Sequence, residues 1–256
     1  MATPKSTAAP PHTGTRIDRI GVVVPVNNED HALRECLDAL DEAASRVAVP
    51  VTVIVVLDSC TDDSAAVVDG FRGDRVESIA VEANNVGAAR AAGMATMLHR
   101  HPAPGTWLAT TDGDSIVPRH WLAAQVRHAA AGARVVAGTV TVEDWVERSS
   151  SLRERARKDY RAGPHRRVHG ANLSFAADAY RAAGGFDPVT SDEDVRLVDA
   201  FRANGESVTW ATDLAVVTSA RRHARAPQGL AGYLSALEDS LQVGMESPRA
   251  ERTQSA

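Results

Sequence analysis

The 256-residue chain has only two cysteines, no run of apolar residues long enough to cross a bilayer, and no surplus of positive charge. Each absence excludes something. Cys36 and Cys60 are too few for a disulfide framework and lack metal-ligand spacing, so a reducing, cytoplasmic compartment is expected. A membrane helix needs roughly 18 consecutive apolar residues, which occur nowhere here. The segment Met1 to Thr15, rich in Ala, Pro, Thr and Ser, also lacks the apolar centre of a secretion signal. A formal net charge of −5 argues against a general nucleic-acid binder, whose affinity rests on basic surface. No dinucleotide-binding glycine fingerprint, Walker phosphate loop or internal repeat occurs, which weakens dehydrogenase and kinase readings.

What is present is a core. With 44% hydrophobic residues the chain can bury one large domain. Residues 1–16 and 244–256 read as disordered tails, leaving a single domain over 17–243 with halves 17–131 and 132–243. Ile20 to Val26 and Val51 to Leu57 are β-branched runs suited to strands covered on both faces. Between them Leu33, Cys36, Leu37, Leu40 and Ala44 recur at helical spacing. The alternation continues with a helix over about 64–71, a strand over 76–81, a helix over 86–99, a strand over 107–111 and a helix over 118–131. Beyond 132 it loosens: strand 135–142, helix 151–161, short strand 171–175, helices 177–183 and 192–204, strand 207–217 and helix 228–243. Such alternation predicts an α/β fold, an open and mostly parallel sheet with helices on both faces. Ligands of such sheets bind outside the carboxyl ends of the strands, which gathers Asn28, Glu29, Asp58, residues 85–90 and residues 112–114 around one site.

The most telling segment is Trp107 to Asp114, an apolar run that stops on Asp112-Gly113-Asp114. Two carboxylates separated by a bend-permitting glycine can turn toward one hard cation such as Mg²⁺ or Mn²⁺, which accepts one or two protein carboxylates beside substrate phosphates. Alone the triplet reads equally as a surface turn.

Five blocks in order resemble the GT-A-fold nucleotide-sugar transferases, in particular glycosyltransferase family two. Val24-Pro25-Val26-Asn27-Asn28-Glu29 is similar to the first-strand segment of that family, and Leu57-Asp58-Ser59-Cys60-Thr61-Asp62-Asp63-Ser64 to its second-strand acidic block. Asn85-Val86-Gly87-Ala88-Ala89-Arg90 is similar to its third block, and Asp112-Gly113-Asp114 to the metal-binding DxD. Gly170 to Phe175, Gly184 to Asp187 and Glu193 to Leu197 resemble the acceptor-side block.

The resemblance implies a glycosyltransferase that uses a UDP- or GDP-sugar and Mn²⁺ or Mg²⁺. The half 17–131 would bind the nucleotide sugar and 132–243 would face the acceptor. Pro25, Asn28, Glu29, Asp58, Arg90, Asp112 and Gly113 would line the donor site. Asp114 would be the direct metal ligand, with Asp112 on the metal, its water or the ribose, and His223 a further metal ligand. Asp194 would be the general base of an inverting transfer, although Asp192, Glu193 and Asp194 would also suit the N-terminus of a helix. Asn27 stands where relatives carry other residues near the nucleobase, and Leu57 replaces the first acid of the second block.

The segment from Arg148 to Arg167 holds seven arginines and Lys158 against Glu154 and Asp159. It reads as a solvated helix face with Leu152, Ala156 and Tyr160 buried, or as a surface for an anionic acceptor or the inner face of a membrane. Two further functions stand beside glycosyl transfer. One is a nucleotidyltransferase of related fold, which would want a glycine-rich basic loop where this chain has Asn27-Asn28-Glu29-Asp30. The other is a non-catalytic nucleotide-sugar-binding protein.

Overall fold

The computed structural model describes residues 14–71, 73, 75–101, 104–143, 145, 149–162, 168–219 and 230–246. Contacts divide the chain into two compact units, residues 1–141 with 168–218 and residues 142–167 with 219–256.

The larger unit is built on one sheet. β1 (Arg19–Val26) and β2 (Val51–Asp58) are the apolar runs noted above, and their near-continuous burial follows from lying inside a parallel sheet with both faces covered. They are joined by α1 (Asp30–Ala44), whose buried residues Leu33, Cys36, Leu37 and Leu40 form the expected stripe. α2 (Ser64–Asp69) leads to β3 (Val76–Val81), and α3 (Val86–Arg100) leads to β4 (Thr106–Thr110). After the two-residue β5 (Ser115–Ile116) come α4 (Trp121–Ala130) and β6 (Val135–Thr141). α5 (Ser150–Ala162) belongs to the smaller unit. A single 3-10 turn (Gly170–Asn172) then precedes β7 (Leu173–Ala176), α6 (Ala177–Ala182), α7 (Glu193–Ala203) and β8 (Val208–Thr218).

The sheet order is β3-β2-β1-β4-β7-β6-β8-β5. β1, β2, β3 and β4 are parallel, as is the β6–β8 pair, while β7 runs antiparallel to β4 and β6 and β5 runs antiparallel to β8. The mostly parallel α/β sheet is therefore as expected. Some bounds shift by two or three residues, α4 beginning at Trp121 and α8 running to Glu246 into the expected tail, and two further details differ from the sequence reading. Residues 171 and 172 belong to the 3-10 turn rather than a strand, because Asn172 spends its side chain on Thr139 O, Leu214 O and Trp121 Nε1. β5 was not expected at all, since two residues carry no periodicity. The chain leaves β1 toward β2 and leaves β4 toward the opposite side, so the crevice outside the carboxyl ends of β1 and β4 is the switch point where such sheets bind ligands.

In the smaller unit, Leu152 and Ala156 of α5 pack with Leu234 and Leu237 of α8 (Leu230–Glu246). That bears out two of the three residues expected in the buried stripe of α5; the side chain of Tyr160 lies outside the described residues. Among the described residues no helix is long and apolar enough to cross a membrane.

Candidate active site

Asp112, Gly113 and Asp114 follow β4 after the buried Thr111, beside the end of β1. Gly113 earns its place by room rather than by left-handed backbone: a Cβ there would lie 3.0 Å from Val26 Cγ2 and 3.3 Å from Glu29 Cγ. That close approach brings the β4 end against the β1 loop, with Pro25 O 3.5 Å from the same position. Ser115 Oγ lies 3.4 Å from Asp114 Oδ1 and 3.1 Å from Thr218 Oγ1, so the short β5 ties Asp114 to β8. Below this turn the buried thiol of Cys36 donates to Asp112 O at 3.4 Å, and burial, with Asp114 and Asp112 nearby, pushes its titration far up. It is a packing group, not a nucleophile.

Asp58 and Asn28 are committed to backbone. Asp58 Oδ1 accepts the N–H groups of Ala83 (2.8 Å) and Asn84 (2.9 Å), and Oδ2 accepts that of Asn85 (2.9 Å). Burial works to raise this carboxyl, but the three amides outweigh it and hold it below the usual carboxylate range. Asn28, at φ 57°, accepts from the N–H of Thr61 (2.7 Å) and of Asp62 (3.2 Å), locking the β1 loop to the β2 loop. Asp62 returns the tie by accepting from Asp30 N and Ser64 N. Asn27, expected near the nucleobase, donates to Asp58 O at 2.7 Å. Glu29 is buried, and its backbone N–H donates to Ser64 Oγ.

Arg90, which the resemblance places on the donor site, is 3% exposed and sits between carboxylates. Its Nη1 donates to Glu193 Oε1 and its Nη2 to Asp112 Oδ1 at 2.5 Å, with Phe186 against the guanidinium at 5.8 Å. Burial alone would make this cation easier to deprotonate; Asp112, Glu193 and Asp194 reverse that and hold it charged. Glu193 is pushed up by burial and pulled back by Arg90.

Asp194 stands on the other side of the same group. Its Oδ2 accepts Gly170 N at 2.6 Å and its Oδ1 accepts Val195 N at 2.7 Å. The N-cap position of α7 is Asp192, which makes no side-chain cap bond, so the helix-end role expected of the three acids falls on Asp194 through the first-turn amide of Val195. Gly170 is required by close approach, since a Cβ there would lie 2.6 Å from the Arg90 guanidinium. Gly170, Glu193 and residues 85–90 were expected at the site, but not Glu193 as the partner of Arg90, the Gly170 amide as donor to Asp194, or Asn85 as a brace to Pro188 O. Asn85 caps α3 through Ala88 N and donates to Pro188 O at 3.1 Å. An Asn one residue before a helical run was the available signal.

Among the described residues no three His, Cys, Asp or Glu side chains gather into a site able to hold a metal ion by themselves. Asp112 and Asp114 form an oxygen-only set with one Asp112 oxygen already on Arg90. This fits a hard cation whose coordination is completed by phosphate oxygens and not a resident structural metal. His223 lies outside the described residues.

The sheet order and the acids at the ends of β2 and β4 place the candidate site at the switch point of an open α/β sheet. The family model for glycosyl transferase family 2 matches residues 21–182, and the chain belongs to that family of glycosyltransferases. Two solved structures have the same fold. S. aureus TarS (residues 1–349, in complex with UDP-GlcNAc) is 14% identical with a TM-score of 0.62, over 91% of this chain and 68% of that one. The mannosyltransferase PcManGT from Pyrobaculum calidifontis, in complex with GDP-Man and Mn²⁺, is 19% identical with a TM-score of 0.63, over 96% and 69%. No protein of curated function matches the sequence significantly.

Proposed function

We propose that the protein moves a sugar from a nucleotide diphosphate sugar to an acceptor hydroxyl with inversion, using Asp194 as general base. The observation that carries this reading is one buried network, Asp112–Arg90–Glu193, whose guanidinium rests on Gly170 while the Gly170 amide holds Asp194. It links Asp112, on the proposed donor side, to Asp194, on the proposed acceptor side. UDP-GlcNAc in one structural neighbour and GDP-Man with Mn²⁺ in another support a UDP- or GDP-sugar as donor. Pro25, Asn28, Glu29, Asp58, Arg90 and Gly113 shape its site, Asn28 and Asp58 by fixing the loops.

Asp114, with Asp112, would hold Mn²⁺ or Mg²⁺. When bound, that cation neutralises charge on the diphosphate leaving group. Asp194 keeps lone pairs beyond those given to the two amides and accepts the acceptor's proton as the hydroxyl oxygen bonds to the anomeric carbon. The bond from that carbon to the diphosphate breaks on the opposite face, and the electron pair leaves with the diphosphate. Glu193 is turned into the protein against Arg90 and does not serve as base.

Metal and nucleotide should bind together, because two phosphates beside Asp112 and Asp114 would otherwise repel. At about 100 times its dissociation constant a ligand stabilises the native state by roughly 2.7 kcal/mol, a melting shift of about 5–10 °C for a domain of this size. UDP or GDP with Mn²⁺ or Mg²⁺ should give that shift in a thermal scan, and Asp114→Ala should abolish it. No shift with either nucleotide and either cation would reject the donor site.

The exposed Arg153, Arg155 and Lys158 of α5 support an anionic acceptor, and a cytoplasmic location with peripheral contact to the inner membrane face suits such a substrate. Changing all three to Gln should raise the acceptor KM and leave donor binding unchanged. The effect should fade with added salt, because exposed charges are screened over about 8–10 Å at physiological ionic strength. An acceptor KM that does not move at low salt would return α5 to an ordinary solvated helix.

A further inference from the structure

Glu193 and Arg90 are both almost fully buried, yet a buried ion pair is poor stabilising design. Desolvating the two charges costs about what their attraction returns, and apolar residues of the same volume often serve as well. The pair also leaves Arg90 Nε buried without a hydrogen-bond partner. The geometry around it suggests what the cost secures. Glu193 takes Nη1 and the Phe186 ring lies against the guanidinium. The absent side chain of Gly170 leaves room for the fork. Nη2 is thereby aimed at one oxygen of Asp112, whose side chain is 34% exposed and stands in the turn after β4.

We propose that Glu193 is a positioning residue for donor binding. It orients Arg90, and Arg90 in turn fixes Asp112 so that Oδ1 is held by the protein and Oδ2 is presented to the cation and diphosphate. Glu193 touches neither ligand nor reacting atoms, and it acts through the guanidinium alone. Its charge also sets how strongly Arg90 competes for Asp112: with Glu193 ionised, the cation is shared between two carboxylates, and without that charge it falls on Asp112. The proposal rests on the donor-site reading of Asp112 and Asp114 given above.

The test is a double-mutant cycle read by nucleotide binding. Glu193→Gln is near-isosteric and keeps an oxygen for Nη1, so the fold should survive; a thermal scan without ligand checks this. UDP and GDP are each titrated in the presence of Mn²⁺ against wild type, Glu193→Gln, Asp112→Asn and the double variant. In the wild-type background Glu193→Gln should weaken binding about five- to thirty-fold, in the range of couplings between residues of one ion-pair network. In the Asp112→Asn background the same change should weaken it less than about two-fold, because there is no longer a carboxylate for Arg90 to hold. Equal factors in the two backgrounds would mean that Glu193 acts by its general field or by stability, and would overturn the proposal. So would an unchanged affinity in Glu193→Gln. Failure of wild type to bind either nucleotide is a different result, which removes the donor site itself and this proposal with it.

Discussion

Asp194→Asn should lower transfer by about 10² or more while metal-dependent nucleotide binding stays near wild type. Asn keeps the size of Asp and one acceptor oxygen, enough for the Gly170 amide at 2.6 Å. It cannot take a proton. Its NH₂ group would instead face the Val195 amide; the bond lost is to a charged group but lies at an exposed position, at the low end of about 1.5–3 kcal/mol, and so a melting change of roughly 3–6 °C. Asp192→Asn is the control. Asp192 is exposed at φ 61°, a backbone region that Asn tolerates as well as Asp, and it forms no cap bond, so activity and stability should both be nearly unchanged. If Asp194→Asn retains more than about a third of wild-type transfer, Asp194 is not the base. The buried Glu193 would not inherit the role without first leaving Arg90.

The parts of this molecule that were legible in the sequence are those set by local pattern. Val22, Val23 and Val24 announce a strand covered on both faces, and Leu33, Leu37 and Leu40 announce a helix stripe, because burial dictates residue type at those spacings. That the acids at 58, 112 and 114 stand at strand ends was legible, because they close apolar, β-prone runs. What could not be read was where those side chains point. The resemblance implies only that Arg90 lines the donor site. Its actual partners lie 22 and 103 residues away, and nothing in helical spacing reports what packs across. Gly170 was visible as a member of a block, but its reason, space for a guanidinium, exists only once α3 and the 3-10 turn are packed together. β5 escaped notice because two residues have no period, although they brace Asp114 against β8.

Asp58 illustrates the same gap and yields the second large effect. The resemblance implies that Asp58 lines the donor site; in the structure its carboxylate accepts the amides of Ala83, Asn84 and Asn85 and the Ser59 hydroxyl at 3.1 Å. Asn at this position has one acceptor oxygen in place of two, so however the amide turns, at least one of the three N–H groups meets an NH₂ donor. Hydrogen bonds to a charged group contribute about 1.5–3 kcal/mol each, and Asp58→Asn should therefore destabilise the nucleotide-free protein by about 2–4 kcal/mol. In a thermal scan that is a fall of about 5–12 °C. The pH dependence has a definite sign. Because the folded carboxyl titrates below its unfolded value of about 3.9, its stabilisation is fully present above that pH and is lost as pH falls through the folded value. Asp58→Asn should remove that contribution and flatten the acid limb of stability below about pH 4. It should not abolish the limb, because Asp62 is held low by Ser64 and Asp30 after its own burial cost is overcome. Nucleotide affinity should fall as well, since residues 83–85 lead into α3 and carry the Asn85 brace to Pro188. The order of effects is the discriminating result. If Asp58→Asn melts like wild type without ligand and loses only nucleotide affinity, the three amides do not depend on the carboxylate, and Asp58 acts by touching the nucleotide directly.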